Sequence, residues 1–332
     1  MVITRTPYRI SFFGGGTDLP AWSRKYGGSV LSTTIDKYCY VMCRHLPPFF
    51  PHKHRVVYSK IELPNTVDEI LHPIVKHCLK HTGIKDGIEI HHNGDLPAWS
   101  GMGTSSSFTV GLLHALYALH GKETDKHQLA HKAIHIEQNL IKDVVGSQDQ
   151  TAASFGGLNK IDFLPNNKRI VTPISLPPKR LELFKNHLML FFTGIIRKSS
   201  DIEKEKVKNF SSRKNELEKM RSMVEPAVKI LENGDLNDFG EMLHESWMLK
   251  RSLSKEVSND YIDQAYAKAR KAGAVGGKLL GAGGGGFILI FSPPEKQEAV
   301  RREMKKIKFL EIPFKFENQG SQVIFDQPNI NG

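Results

Sequence analysis

The chain has 332 residues, 24% of them charged and 39% hydrophobic, with 46 lysines and arginines against 35 acids and a formal net charge of +11. That length accommodates two domains with cores of their own, and the proportions are those of a globular protein. No apolar run approaches the roughly 20 residues of a membrane span, MVITRTPYRI lacks the apolar stretch of a secretory signal, and three cysteines do not make a disulfide framework. A reducing cytoplasmic setting away from membranes is therefore expected, with Cys39, Cys43 and Cys78 as buried thiols.

The positive balance points to an anionic partner. A nucleic-acid binder would show a compact basic stripe with interleaved aromatics. Here the cations are scattered among acids, as in Asp201 to Arg221, and the run Arg301 to Lys308 fits the solvated face of a C-terminal helix. A small, multiply phosphorylated ligand is the better account.

In chain order, Thr4 to Phe13 alternates as a strand and ends in a loop, Gly14-Gly15-Gly16-Thr17-Asp18-Leu19-Pro20. Three glycines allow close backbone approach there, and Asp18 beside them suits recognition of a sugar hydroxyl. Arg9 is either a salt-bridged strand residue or a charge aimed at that loop. Val30 to Arg44 reads as one or two strands. Leu46 to Arg55, with His52, Lys53, His54 and Arg55, reads as an exposed loop or, alternatively, a flap over an anionic ligand. Asp68 to His81 reads as a helix and Gly87 to Asn93 as a strand.

Leu96 to Leu119 organises the rest. A turn through Gly101-Met102-Gly103 meets the hydroxyl cluster Thr104 to Ser107, and Phe108, Leu112, Ala115, Leu116 and Leu119 then recur with helical spacing. Glycines and hydroxyls at a helix N-terminus make an anion site, because free N–H groups and the dipole favour phosphate. The plainer alternative is a Ser- or Thr-capped helix after a flexible loop.

Thr124 to Ile141 reads as a helix capped by Thr124 or Asp125. At about 100° per residue, Glu137 falls in the middle of its apolar face. A carboxylate there needs a cation or hydrogen bonds, and a metal ion is the favoured occupant. His127, His131 and His135 line the opposite face without a companion ligand, so zinc is not expected. Asp149 follows a glycine turn in a small, polar neighbourhood where a general base could stand. The four prolines between Asp162 and Arg180 mark a domain junction. Beyond it come a buried strand, His187 to Phe192, and long helices over Asp201 to Asn233, Leu236 to Leu253 and Asp260 to Lys271. Gly276 to Gly286 leads into the strand Phe287 to Phe291. Although Gly281, Gly283 and Gly286 match G-x-G-x-x-G, the dinucleotide fingerprint must open a helix, and Lys278 is followed by Leu rather than the Ser or Thr of a Walker loop.

Taken together, the three glycine loops and the acids between the second and third resemble the GHMP kinase superfamily over nearly the whole chain. Its motifs are matched by Thr6-Pro7-Tyr8-Arg9 through Asp18, by Pro97 to Ser106, and by Lys278 to Gly286. The GGGTDLP form, with FTGIIRKSS near residue 195, is most similar to the D-glycero-D-manno-heptose 7-phosphate kinases. Gly14-Gly15-Gly16 stands where galactokinase-like members carry Gly-Glu-His.

The resemblance implies an α+β fold with a ribosomal-S5-like N-terminal domain, here 1–170, and a ferredoxin-like C-terminal domain, 171–332. It implies ATP held by Pro97, Ser100, Gly101, Met102, Gly103, Thr104, Ser105 and Ser106, and Mg²⁺ on Ser105 and Glu137. Asp149 would face the acceptor hydroxyl, as base or positioner, with Arg9 pairing to it. Gly15, Gly16, Thr17, Asp18, Gly283, Gly284 and Arg197 are the substrate-side candidates. Arg197, Lys198 and His52 to Arg55 are the candidates for a substrate phosphate. The implied partner is a small sugar phosphate, with no nucleic acid or membrane. An L-fucose or other sugar 1-kinase is the alternative within the superfamily, and a non-catalytic or RNA-binding protein on this fold the alternative outside it.

Overall fold

A computed structural model describes residues 1–197 and 199–327. Two sheets carry the fold. The first begins with β1 (Val2–Phe13), β2 (Gly28–His45), β3 (His54–Val57), β4 (Ile61–Glu62), β5 (Ile88–Gly94), β6 (Leu158–Phe163) and β7 (Arg169–Pro173). The second contains β8 (Leu188–Phe192), β9 (Gly276–Leu279), β10 (Phe287–Phe291) and β11 (Leu310–Glu311), in the order β11-β8-β10-β9, all antiparallel. β12 (Phe316–Glu317) and β13 (Gln322–Asp326) then return to the first sheet, against β2 and β1. Its main path runs β13-β1-β2-β5-β3-β4, with β6 and β7 continuing from the first half of β2. A cut at 170 thus passes through β7 and leaves two first-sheet strands in the C-terminal part.

The helices are α1 (Pro20–Tyr26), α2 (Pro73–Thr82), α3 (Thr104–Leu119), α4 (Lys126–His135), α5 (Gln148–Phe155), α6 (Pro178–Asn186), α7 (Ser199–Lys208), α8 (Lys214–Ser222), α9 (Val224–Asn233), α10 (Leu236–Ser252), α11 (Asp260–Lys271) and α12 (Pro294–Lys306). Among the described residues none is long and apolar enough to cross a membrane. The first sheet is covered by α3 on one face and by α8 to α10 on the other, so β1 is buried on both faces from Thr6 onward. β8 and β10, LMLFF and FILIF, are likewise buried runs rather than alternating ones. Phe12 and Phe13 at the end of β1 meet Phe184 and Phe239 with centroids 5.0–5.6 Å apart, and Phe239 meets Phe291 at 5.9 Å. This aromatic seam ties the two sheets together just behind the first glycine loop.

Two helix expectations need correction. Only Pro73–Thr82 of the expected 68–81 helix is α-helical, because Pro73 takes the first helical position and holds His72 extended, leaving Val67–Glu69 as a separate 3-10 turn. The single helix expected from Asp201 to Asn233 is three. The first break is at Asn209–Arg213, where Ser212 donates to the Asn209 carbonyl and Asn209 to that of Leu253, drawing the backbone out of register. All three cysteines are free and buried.

Candidate active site

Three glycine loops meet at one cleft of about 890 Å³, measured to its open mouth. The second and third are pressed backbone to backbone. A Cβ on Gly281 would collide with Gly101 Cα and one on Gly286 with the Ser100 carbonyl, while Phe287 N donates to that carbonyl at 3.1 Å. Gly101 and Gly281 have φ of +80° and +64°, a conformation that favours glycine. The second loop delivers the chain into α3, whose N-cap is Gly103 with no side-chain cap. The hydroxyls of Thr104 to Ser106 therefore do not close the helix mouth, and its first N–H groups are left for a ligand. The capped-helix alternative is set aside on that geometry.

Arg9, reaching out of β1, holds two things at once. Its Nε and Nη2 each donate to a different oxygen of Asp149 at 2.8 Å, and its Nη1 to the carbonyl of Gly101 at 2.6 Å. The guanidinium is 4% exposed, whereas Asp149 keeps 24% of its surface open to the cleft. Asp149 lies in the first turn of α5 and over Gly103, so close that a Cβ there would stand 3.2 Å from its carboxylate. The bidentate pair fixes the plane of the carboxylate.

Asp18 is buried beneath the segment leading into α5. It accepts from Gly16 N at 3.1 Å and Gln148 N at 3.2 Å, and a Cβ on Gly146 would strike it. Burial, reinforced by the nearby Asp149 charge, pushes its carboxyl up to about 6. Ser11 anchors the Gln148 amide at 2.8 Å from below.

α4 ends at His135 and gives way to a π turn, Ile136–Leu140, which turns Glu137 inward at 2% exposure. Ser106 donates to it at 2.9 Å, Thr109 at 2.5 Å, and Gln150 also donates. All three donors are neutral, and burial pushes the carboxyl up to about 7. Of the two loop serines it is thus Ser106, not Ser105, whose hydroxyl meets Glu137. One helical residue amounts to about 100° of rotation, and it leaves Ser105 exposed in the cleft.

Of the other expected residues, Gly15, Gly16, Gly101, Gly103 and Thr104 line the cleft. Thr17 is an internal tie, donating to the Gly14 carbonyl at 2.7 Å. Pro97 is exposed away from the cleft, Met102 points into the core, and Ser100 is buried under the third loop. Gly281 and Ala282 line the cleft. Gly283 and Gly284 instead pack against Val257, Ile202 and Arg197, because the four-glycine run turns its tip away. Arg197 faces Glu256 at 3.5 Å outside the cleft, and Lys198 lies outside the described residues. None of His52 to Arg55 lines the cleft either. His54 and Arg55 belong to β3 beyond β5, and Arg55 faces Glu89. Sequence reading missed Ser11, Gln148, Lys206, Lys250 and Lys278 as cleft residues. Lys250 carried a usable signal, since it continues the buried Leu243 and Trp247 row of α10, the argument that singled out Glu137.

An uncapped helix mouth beside an arginine-held carboxylate suits transfer of a phosphoryl group to an alcohol. The family models described as GHMP kinases N terminal domain and GHMP kinases C terminal match residues 68–157 and 227–309. A Campylobacter jejuni protein named D-glycero-alpha-D-manno-heptose 7-phosphate kinase is 32% identical over 96% of this chain and 97% of its own. Among solved structures, a Bacteroides thetaiotaomicron protein described as a D-glycero-D-manno-heptose 1-phosphate kinase superposes with TM-score 0.80 at 24% identity, over 98% of this chain and all of that one. A Methanococcus jannaschii mevalonate kinase superposes at 0.73 with 20% identity, over 95% of this chain and 98% of its own. At those identities both bear on the fold. The chain belongs to the GHMP kinase family, with the α+β architecture expected of it, and is a kinase.

The contact between the second and third loops gives a first prediction. Gly281→Ala incurs about 1–2 kcal/mol for a left-handed backbone alone, and its methyl group drives Gly101 away from the α3 mouth. Nucleotide affinity, read by titration of a fluorescent analogue, should fall at least about tenfold while the fold persists in circular dichroism. Unchanged affinity would show that the loop contact does not shape the mouth.

Proposed function

We propose that this chain is an ATP-dependent sugar kinase that phosphorylates the C1 hydroxyl of D-glycero-D-manno-heptose 7-phosphate, giving the 1,7-bisphosphate on the way to nucleotide-activated heptose for surface polysaccharide. The observation that carries the reading is the Arg9–Asp149 pair seated on Gly103 at the uncapped mouth of α3, with buried Asp18 beside it. The name of the Campylobacter relative supports the choice of sugar.

In this reading the N–H groups of the α3 mouth and the Gly101 to Ser106 loop hold the triphosphate. Asp149 accepts the proton of the anomeric hydroxyl or steers it, and Arg9 fixes which oxygen faces that hydroxyl. Asp18 takes a sugar hydroxyl as a hydrogen-bond acceptor. Positioning and charge neutralisation supply most of the rate in such transfers.

Mg²⁺ fits the residues behind the mouth. Glu137 has only neutral donors and the neighbouring Gln150 Oε1 is buried without a partner, so among the described residues a buried carboxylate and a buried amide oxygen are bonded to no cation. Hard oxygen donors suit magnesium, which keeps waters and phosphate oxygens as its remaining ligands. Glu137, with Ser106 and the exposed Ser105, would hold the ion. It would neutralise charge on the transferring phosphate.

The deciding experiment is ADP release with a panel of free sugars and sugar phosphates. The heptose 7-phosphate is expected to exceed every unphosphorylated sugar in kcat/KM by at least about 100-fold, as loss of a charged contact predicts. Preferential turnover of L-fucose or another free sugar would reject this acceptor, and no ADP release with any member would favour a non-catalytic role.

A further inference from the structure

Among the described residues, two lysines lining the cleft form no salt bridge with an acid, although the charge of Glu203 reaches Lys250 from farther off. Lys250 comes off the buried face of α10 and Lys278 off β9, and they are 5% and 2% exposed. Lys250 Nζ donates to the carbonyls of Leu279 and Gly281 at 2.8 and 2.6 Å, and Lys278 Nζ to that of Phe12 at 2.6 Å. Carbonyls orient an ammonium but do not neutralise it, and a buried charge without a counter-ion is expensive. The other charged groups lining the cleft are bonded elsewhere, and Glu203, which favours the charged form of Lys250, is itself shared with Lys206. Arg9 is committed to Asp149, Lys206 to Glu203 at 2.7 Å, and Asp18 is occupied with Gly16 and Gln148.

Their anchors place these lysines at the centre of the chemistry. Gly281, which holds Lys250, is packed on Gly101, which holds Arg9, and Phe12, which holds Lys278, is the penultimate residue of β1, just before the first glycine loop. We propose that Lys250 and Lys278 form a paired anion seat for the phosphoryl group in transit, the cationic counterpart of the α3 mouth. This rests on the kinase reading above. As the acceptor oxygen bonds to phosphorus, the bond from phosphorus to the ADP oxygen breaks and the hydroxyl proton passes to Asp149. The two ammonium groups meet the charge carried by the peripheral phosphoryl oxygens, where preorganised cations act most strongly. Burial, with Arg9 and Lys206 nearby, holds Lys278 down to about 7, and burial lowers Lys250 as well. An arriving anion therefore draws in a proton, which a purely structural tie between lysine and carbonyl would not do.

The test compares K250M, K278M and the conservative K278R with the wild type. Each methionine variant should lose about 100- to 1,000-fold in kcat while KM for the nucleotide rises no more than about tenfold, the pattern of a contact stronger in the transition state than in the bound ground state. K278R should retain most of the rate and keeps the test available if K278M does not fold. Inorganic tripolyphosphate, titrated at pH 8 in two buffers of unlike ionisation enthalpy, should bring about one proton into the wild type and less than half of that into K278M. Proton uptake equal in all variants, or KM rising by the factor that kcat falls, would overturn the seat. Wild type that turns over no panel member yet shows uptake abolished in K278M sinks the heptose 7-phosphate reading and leaves the anion seat. Full turnover in both methionine variants does the reverse.

Discussion

Asp149→Asn should bind nucleotide like the wild type and turn over about a thousandfold more slowly, within the range that a positioned proton acceptor contributes. The asparagine amide oxygen can accept one of the two hydrogen bonds Arg9 offers, but its NH₂ must then face the other guanidinium nitrogen. The substitution therefore removes the proton acceptor proposed above and disturbs the Arg9 contact that orients it. Arg9 keeps its grip on the Gly101 carbonyl, so the loop and the helix mouth stay in place. The measurement pairs equilibrium titration of a non-hydrolysable nucleotide with steady-state turnover. Undiminished turnover would remove Asp149 from the chemistry, whereas parallel loss of binding would make it a structural brace.

Glu137→Gln should trade activity for stability. The carboxyl is pushed up to about 7 from 4.5 because burial penalises its ionised form. A carboxyl whose folded value lies above its unfolded one makes the native state lose stability as pH rises between the two, here from about 4.5 to 7, after which the loss is complete. At about 1.4 kcal/mol per unit the penalty is roughly 3 kcal/mol at pH 8 in the absence of a cation. Glutamine carries no such charge, and the Ser106 and Thr109 hydroxyls can rotate to suit it. Without Mg²⁺ the variant should melt higher than the wild type at pH 8 and alike at pH 4. With Mg²⁺ and both substrates it should be slower by about 10- to 100-fold, with a higher metal requirement. A variant less stable at pH 8, or one with unaltered Mg²⁺ dependence, would remove the reason for placing a cation beside this acid.

Much of this was legible because its signals are local. The α3 periodicity, the glycine loops and the buried runs at β8 and β10 follow from spacing and composition within about a dozen residues. Glu137 could be placed on a buried face because a carboxylate among Ala133, Ile134, Ile136 and Leu140 breaks the helical pattern. The same logic, extended to Lys250, would have found part of the cation set. The helix breaks at His72 and Asn209–Arg213 went unread, although one has its cause in an adjacent proline and the other partly in a contact to distant Leu253.

By itself, then, the order of residues determined which elements form, which loops can fold back tightly, and which acids had to find company inside. Only the tertiary structure decided which groups share a wall. It brought Arg9 to Asp149 across 140 positions and pressed Gly281 onto Gly101, turned Gly283 and Gly284 away from the cleft, and gave Glu137 to Ser106 instead of Ser105. The physical reason is that periodicity reports a side chain's face to within a turn of helix. A hydrogen bond, by contrast, is decided by fractions of an ångström between segments that meet only when the whole core packs.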